Sequence, residues 1–202
     1  MMSETVITGI LPGMGRWEPD AASRLLEAAM ELYAKQGFDS TTVAEIAAHA
    51  GLTERTFFRY FSDKREVLFG GSSGLTTLLA AEVATAPAEA SPLEATAAAL
   101  KSLGMLIEGQ RGRDFVRRRS RILAQNPELQ ERELIKLASW TDALALALRA
   151  RGADEQRASL AAAAGVAAFR VAFARWVSSD DPQSLPELIR ESFHGLRELT
   201  GA

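Results

Sequence analysis

Apolar residues along this chain recur at helical spacing, and no stretch alternates apolar and polar residues for the length of a strand. Ala22, Leu25, Leu26, Ala29, Leu32 and Tyr33 form an i, i+3/i+4, i+7 stripe. Gly37 follows it at the place where a helix commonly turns left-handed and stops. Polar punctuation marks the other helices. Thr42-Val-Ala-Glu45 and Ser91-Pro-Leu-Glu94 are capping boxes, the second with proline at the first helical position. Thr53 and Ser62 read as N-caps, Asn126-Pro127 as a start, Gly152 as a stop, Asp154 as a cap, and Ser184-Leu-Pro-Glu187 as the last start. The pattern predicts helices over 17–38, 43–50, 54–60, 63–85, 92–109, 112–125, 127–151, 154–178 and 185–199. The fold class is therefore all-α, with about nine helices. Two features fit poorly: Gly70-Gly71-Ser-Ser-Gly74 interrupts the fourth helix, and Gly165 sits inside an alanine run.

The chain divides into three short helices with tight turns over 17–66 and longer, alanine-rich helices over 75–202, joined by the fourth helix. With 202 residues and 47% apolar content it can bury a sizeable core. A formal charge of −3 means that a nucleic-acid partner must be argued from a local patch. The absence of cysteine excludes disulfides, thiol catalysis and thiolate metal sites. His49 and His194 are too few for a histidine metal site, and no P-loop, nucleophile elbow or dinucleotide fingerprint is present, so no metal, cofactor or catalytic residue is expected. The start, MMSETVITGILPGMGRW, lacks a positive n-region and its apolar run is broken, so no signal peptide is expected. Arg170 and Arg175 interrupt the longest apolar stretch, Leu160–Val177, which argues against a membrane span; a cytoplasmic location is expected.

Helices 43–50 and 54–60 are separated by Ala50-Gly51-Leu52-Thr53, the spacing of a helix-turn-helix. At about 100° per residue, Phe57 and Phe61 face inward, whereas Arg55, Phe58, Arg59 and Ser62 face outward. Arginine can bond guanine N7 and O6, threonine a base or phosphate, and an exposed ring a thymine methyl. Residues 55–65 hold four basic groups against one acid, whereas 17–66 hold six against nine, so the positive charge is focused. Lys64 is expected beside a helix N-terminus, where it and backbone N–H groups could meet a phosphate.

Residues 29–69, AMELYAKQGFDSTTVAEIAAHAGLTERTFFRYFSDKREVLF, resemble the DNA-binding domain of the TetR/AcrR family of bacterial transcriptional regulators. The matching pieces are Gly37-Phe38, Thr41-Thr42-Val43, Ile46-Ala47, Ala50-Gly51-Leu52, and Thr56-Phe57-Phe58-Arg59-Tyr60-Phe61 followed by Lys64. Many members carry Tyr-x-His-Phe where this chain has Phe58-Arg59-Tyr60-Phe61, so Phe58 lacks a hydroxyl for phosphate. The resemblance implies an all-helical homodimer and a ligand-responsive repressor of an inverted-repeat operator. It implies an N-terminal extension over 1–18, a DNA-binding domain over 19–66, and a ligand-binding and dimerisation domain over 67–202. It places Thr42, Thr53, Arg55, Thr56, Phe58, Arg59, Tyr60 and Lys64 at DNA-contact positions.

Outside that region the signals are weaker. Met105, Phe115, Trp140 and Phe169, with Phe173 and Trp176, are candidates for a pocket holding a small-molecule effector, against the plainer expectation that they are core. Arg111, Arg113, Arg117, Arg118, Arg119 and Arg121 stand with one acid, Asp114. They read as a solvated face paired with acids elsewhere, or alternatively as a second DNA contact or an anionic ligand site. Small residues over Leu160–Phe169, with Leu185, Leu188, Ile189, Phe193, Leu196 and Leu199, make 154–178 and 185–199 the expected dimer face. The rival reading is a helical ligand-binding or scaffold protein whose helix-turn-helix is purely structural.

Overall fold

The computed structural model describes residues 19–70, 74–180 and 182–201, which are helical with no strand among them. The expected extension over 1–18 and Gly71 lie outside the described residues.

Three helices form the first unit: α1 (Pro19–Gln36), α2 (Val43–His49) and α3 (Glu54–Tyr60). The α1 stripe buries Leu25, Ala29 and Tyr33, and Gly37, at φ 86°, ends the helix. Thr42 caps α2 by accepting from Glu45 N at 3.2 Å, while Glu45 accepts from Thr42 N at 2.8 Å. Gly51 makes the turn at φ 67°, a conformation that glycine adopts without penalty, and Thr53 caps α3. From α1, Arg24 donates to the Ala50 carbonyl and ties that turn down.

The expected fourth helix over 63–85 is not continuous. Asp63, not Ser62, organises the turn: its Oδ1 accepts from Arg65 N at 2.7 Å and Glu66 N at 3.1 Å. A 3₁₀ turn, Glu66–Phe69, follows, and α4 begins only at Leu75 (Leu75–Thr85). Val67, Leu68 and Phe69 are all buried. Three consecutive buried residues do not suit one face of an α-helix. Gly70 serves contact: a Cβ there would stand 2.8 Å from Phe61 Cε1.

The larger unit packs α4 with α5 (Pro92–Ala124), α6 (Pro127–Ala150), α7 (Glu155–Ser178) and α8 (Leu185–Thr200). The two helices expected over 92–109 and 112–125 run end to end as α5, broken only at Gly112, whose φ of 72° and ψ of 162° are non-helical. Ser91 and Ser184 form capping boxes with Glu94 and Glu187, and Asp154 caps α7. By length and composition α7 could cross a membrane, but its apolar side, including Ala162, Phe169, Ala172 and Trp176, is buried against α5, α6 and α8. Much of the expected dimer face is interior to one subunit: Leu185, Leu188, Ile189 and Phe193 are buried by α5 and α7. The large apolar residues left exposed there are Leu160 and Val171 on α7 and Leu199 on α8.

Gly165 lets α7 pack close to α5, where a Cβ would run into Thr96 Cγ2. Gly165→Ala should therefore destabilise the fold by about 1–3 kcal/mol despite alanine's better helix propensity. Thr96→Ala in the same chain should recover part of that loss. Denaturant unfolding of both single variants and the double checks this, and strictly additive effects would contradict the proposed contact.

Candidate functional site

Helix α3 presents two faces. Phe57 is fully buried and Phe61 nearly so, whereas Phe58 is 55% exposed with its ring edge-on to Phe57 at 5.5 Å. Arg55 and Arg59 are exposed on the same outer side. Arg55 makes no hydrogen bond or ion pair among the described residues. Arg59 donates to Tyr60 Oη at 3.1 Å and lies 5.0 Å from that ring, which steadies both side chains at the end of the helix. Thr42 and Thr53 sit at the N-termini of α2 and α3, and Thr56 Oγ1 is 3.0 Å from Thr53 Oγ1. Arg55, Phe58 and Arg59 are thus exposed on the outer side of α3, Thr42 and Thr53 stand at helix starts, and Thr56 and Tyr60 are half-buried, Tyr60 packing against the core.

Lys64 is different. Its ammonium donates to the carbonyls of Phe38 at 2.8 Å, Asp39 at 3.2 Å and Thr41 at 3.0 Å, and lies 4.4 Å from the Phe38 ring. All three donors are engaged, so Lys64 closes the α1–α2 corner and offers no N–H to phosphate. Tyr33 completes this lock by donating to Lys64 O at 2.6 Å. Burial, then the nearby Asp63 carboxylate, raises the Tyr33 pKa, so its hydroxyl stays a donor. Arg65 is also held, by Asp63 at 2.7 Å. Of the four basic groups that focus charge on 55–65, Arg55 and Arg59 are the pair turned outward beside Phe58.

A second feature lies inside the larger unit. A cavity of about 930 Å³ opens between α5, α6 and α7 and reaches Leu68, Phe69 and Gly70. Phe115, Trp140 and Phe169 line it, and Phe173 stacks on Phe169 at 5.8 Å. Met105 does not: it is 52% exposed, while Leu106 and Ile107, one and two steps further round the helix, face the space. Trp176 packs behind Phe173 in the core.

Sequence reasoning missed the polar part of this wall. Glu133 accepts from Arg119 at 3.1 Å and from Lys136 at 2.6 Å. Burial pushes the Glu133 carboxyl up, but the two cations outweigh it and hold it below its ordinary range. Burial, then repulsion from Arg119, pushes the Lys136 ammonium down to about 8. The spacing of Glu133, Lys136 and Trp140 puts two charges on the stripe that also carries a buried ring, and that was the available signal.

The arginine cluster is not one basic patch. Arg113 donates to the carbonyls of Trp176 at 2.7 Å and Ser179 at 2.8 Å, and Arg117 donates to Val177 O at 3.1 Å and Asp180 at 3.1 Å. Both cap the C-terminus of α7, where a helix presents unpaired carbonyls. Arg119 turns the other way and donates to Leu68 O at 2.8 Å. The expectation of a solvated face paired with acids holds in part: Arg117 pairs with Asp180 and Arg119 with Glu133, but both side chains are enclosed, and all three arginines also bond backbone carbonyls.

Comparison with known proteins places the geometry in context. Residues 25–69 match the family model described as bacterial regulatory proteins, tetR family, and residues 90–200, over half of the chain, match one described as the MftR C-terminal domain. The Mycobacterium tuberculosis protein named as the mycofactocin biosynthesis transcriptional regulator MftR is 30% identical over 65% of this chain and 66% of its own length. The Streptomyces glaucescens regulator TcmR is 35% identical over 43% of this chain and 39% of its own. The matched stretches thus span about two-thirds and two-fifths of these relatives. Among solved structures, the Thermus thermophilus repressor FadR, in complex with lauroyl-CoA, superposes with a TM-score of 0.55 at 24% identity, over 88% of this chain and 93% of its own.

Two outcomes follow from the buried cations. Lys64→Met should lower the stability of the chain by about 1–3 kcal/mol, because three carbonyls lose a charged donor; retained stability in denaturant unfolding would contradict the lock. Lys136 has a folded pKa of about 8 against an ordinary 10.5, so the unfolded chain binds the extra proton between those values. Stability relative to Lys136→Met should therefore rise as pH rises through that window and stay level below it. Denaturant midpoints of both proteins at several pH values test the sign.

Proposed function

The chain belongs to the TetR family of bacterial regulatory proteins, and on that premise we propose that it is a homodimeric repressor that releases an inverted-repeat operator when a small molecule fills the cavity. One observation carries the DNA reading: α3 holds Phe58 out at 55% exposure between Arg55 and Arg59, although a structural corner needs no such ring. In the major groove Arg55 would pair with a guanine, Thr56 with a base or phosphate, and Phe58 with a thymine methyl. Arg59, Tyr60, Thr42 and Thr53 would hold the backbone.

One such helix reads too few base pairs to select an operator, so two subunits act together. Leu160 and Val171 on α7, with Leu199 on α8, are the exposed apolar residues from which the two-fold contact would be built. Two α3 helices should then lie about 34–36 Å apart, or wider if the subunits splay. The complex of FadR with lauroyl-CoA supports a small-molecule effector for a cavity of this kind. Phe69 and Lys136 form a wall shared by the cavity and a smaller crevice under Tyr60 and Phe61. A ligand that favours another position of that wall shifts the population away from the DNA-binding spacing. Tenfold weaker binding requires about 1.4 kcal/mol of differential affinity. A regulator of this kind acts in the cytoplasm and performs no turnover.

Selection of bound duplexes from random DNA tests the proposal, with an inverted repeat as the expected result. If no duplex is retained, the helix-turn-helix is structural and the protein is a ligand-binding scaffold. Arg55→Ala should relax preference at one base pair per half-site, at a cost of about 1–3 kcal/mol. Arg59→Ala should weaken all sequences alike and flatten the slope of log affinity against log salt by about one per lost phosphate contact.

A further inference from the structure

The charges on the cavity wall do not balance. Arg119, Lys136 and Arg170 face it against one carboxylate, Glu133. Arg170 is exposed, but the side chains of Arg119 and Lys136 are each only 14% exposed. Glu133 can neutralise one of this enclosed pair, which leaves one positive charge over. Arg119 has a second acceptor in Leu68 O at 2.8 Å. Lys136 has a single hydrogen-bond acceptor among the described residues, Glu133 at 2.6 Å. Its remaining N–H bonds have aromatic rings for company, Trp140 at 4.9 Å and Phe69 at 5.9 Å. Rings offset only part of the cost of enclosing an ammonium. Burial, and then repulsion from Arg119, push its pKa down to about 8, in keeping with the cost of enclosing this ammonium. A methionine would fill this place in a core without that cost, so the ammonium makes sense where a guest supplies the missing anion.

We propose that the cavity takes an apolar molecule ending in a single anionic group, with the anion seated on Lys136 and Arg119 and the body among Leu106, Phe115, Leu137 and Phe169. This rests on the ligand-responsive reading above and names the chemistry of its ligand. It also ties recognition to the joint. Of the two cations that would take the anion, Arg119 holds Leu68 O and both face the Phe69 ring. An anion competes directly with both contacts. A neutral molecule of the same shape occupies the space without drawing on them.

Matched ligand pairs separate charge from shape. Dodecanoate with dodecanol, and pyrenebutyrate with pyrenebutanol, are titrated calorimetrically into the full chain at neutral pH, the first pair for an aliphatic body and the second for an aromatic one. At least one acid should bind about tenfold or more tightly than its alcohol. Lys136→Met should abolish that preference while leaving the alcohol within about twofold of its original affinity. Equal affinity of acid and alcohol in both pairs overturns the proposal. So does a preference that survives both Lys136→Met and Arg119→Gln, or the failure of both acids to bind at millimolar concentration. Operator retention is read in parallel. Lys136-dependent acid binding that leaves DNA affinity unchanged upholds this site and overturns the ligand-responsive reading. Release by acids and alcohols alike upholds that reading and overturns the charge requirement.

Discussion

The ring of Phe69 lies 5.0, 5.7 and 5.9 Å from the cationic groups of Arg119, Arg132 and Lys136, and this contact ties the turn after α3 to α5 and α6. Phe69 ends the 3₁₀ turn that follows α3, with the buried Val67 and Leu68 before it. Arg119 also holds the Leu68 carbonyl, and Arg132 bonds Glu66 at 2.7 Å. On the other side Gly70 lies against Phe61, the last residue of the recognition segment, with no room for a Cβ. The turn is thus gripped by α5 and α6 from one side and by α3 from the other. Phe69 and Lys136 belong both to the cavity and to the crevice beneath Tyr60 and Phe61, so the proposed signal from ligand to DNA would pass through this turn.

The same economy of cations runs through the molecule. The chain holds 23 basic and 26 acidic side chains, so a DNA-binding surface cannot come from overall charge. Many of the basic groups work internally as caps for helix carbonyls. Lys64 closes the α1–α2 corner, Arg24 the turn before α3, Arg113 and Arg117 the end of α7, and Arg151 the end of α4 through Val83, Ala86 and Pro87. The four arginines satisfy carbonyls at helix C-termini, the negative ends of the helix dipoles, whereas Lys64 takes the loop carbonyls of Phe38, Asp39 and Thr41 between α1 and α2. The outer face of α3 is distinctive because Phe58 stands beside Arg55, which has no hydrogen-bond or ion-pair partner among the described residues.

Much of this was legible in the sequence where local chemistry decides. The capping boxes at Thr42 and Ser91, the turn at Gly51 and the opposite faces of Phe57 and Phe58 follow from spacing alone, and the structure has all of them. Long-range partners were not legible. Lys64 reads as a phosphate ligand until Phe38, Asp39 and Thr41 are seen to bring their carbonyls to it. Leu185 and Phe193 read equally as subunit seam or core, since periodicity marks an apolar face and not what covers it. That no single helix runs from 63 to 85 was signalled by the glycines, but the role of Gly70 depends on a ring nine residues earlier. The charged wall of the cavity depends on α5 and α6 lying side by side, which no local pattern reports.

Whether Phe69 sets the position of the recognition helices can be measured directly, because the chain has no cysteine of its own. A spin label on Glu54→Cys, at the exposed start of α3, reports the distance between the two helices of a dimer. With Phe69 intact the account predicts one narrow distance distribution; Phe69→Ala, which leaves its three cations without their ring, should broaden or shift it. An identical distribution in the two proteins would contradict the claim that the 66–69 turn holds the DNA face in place.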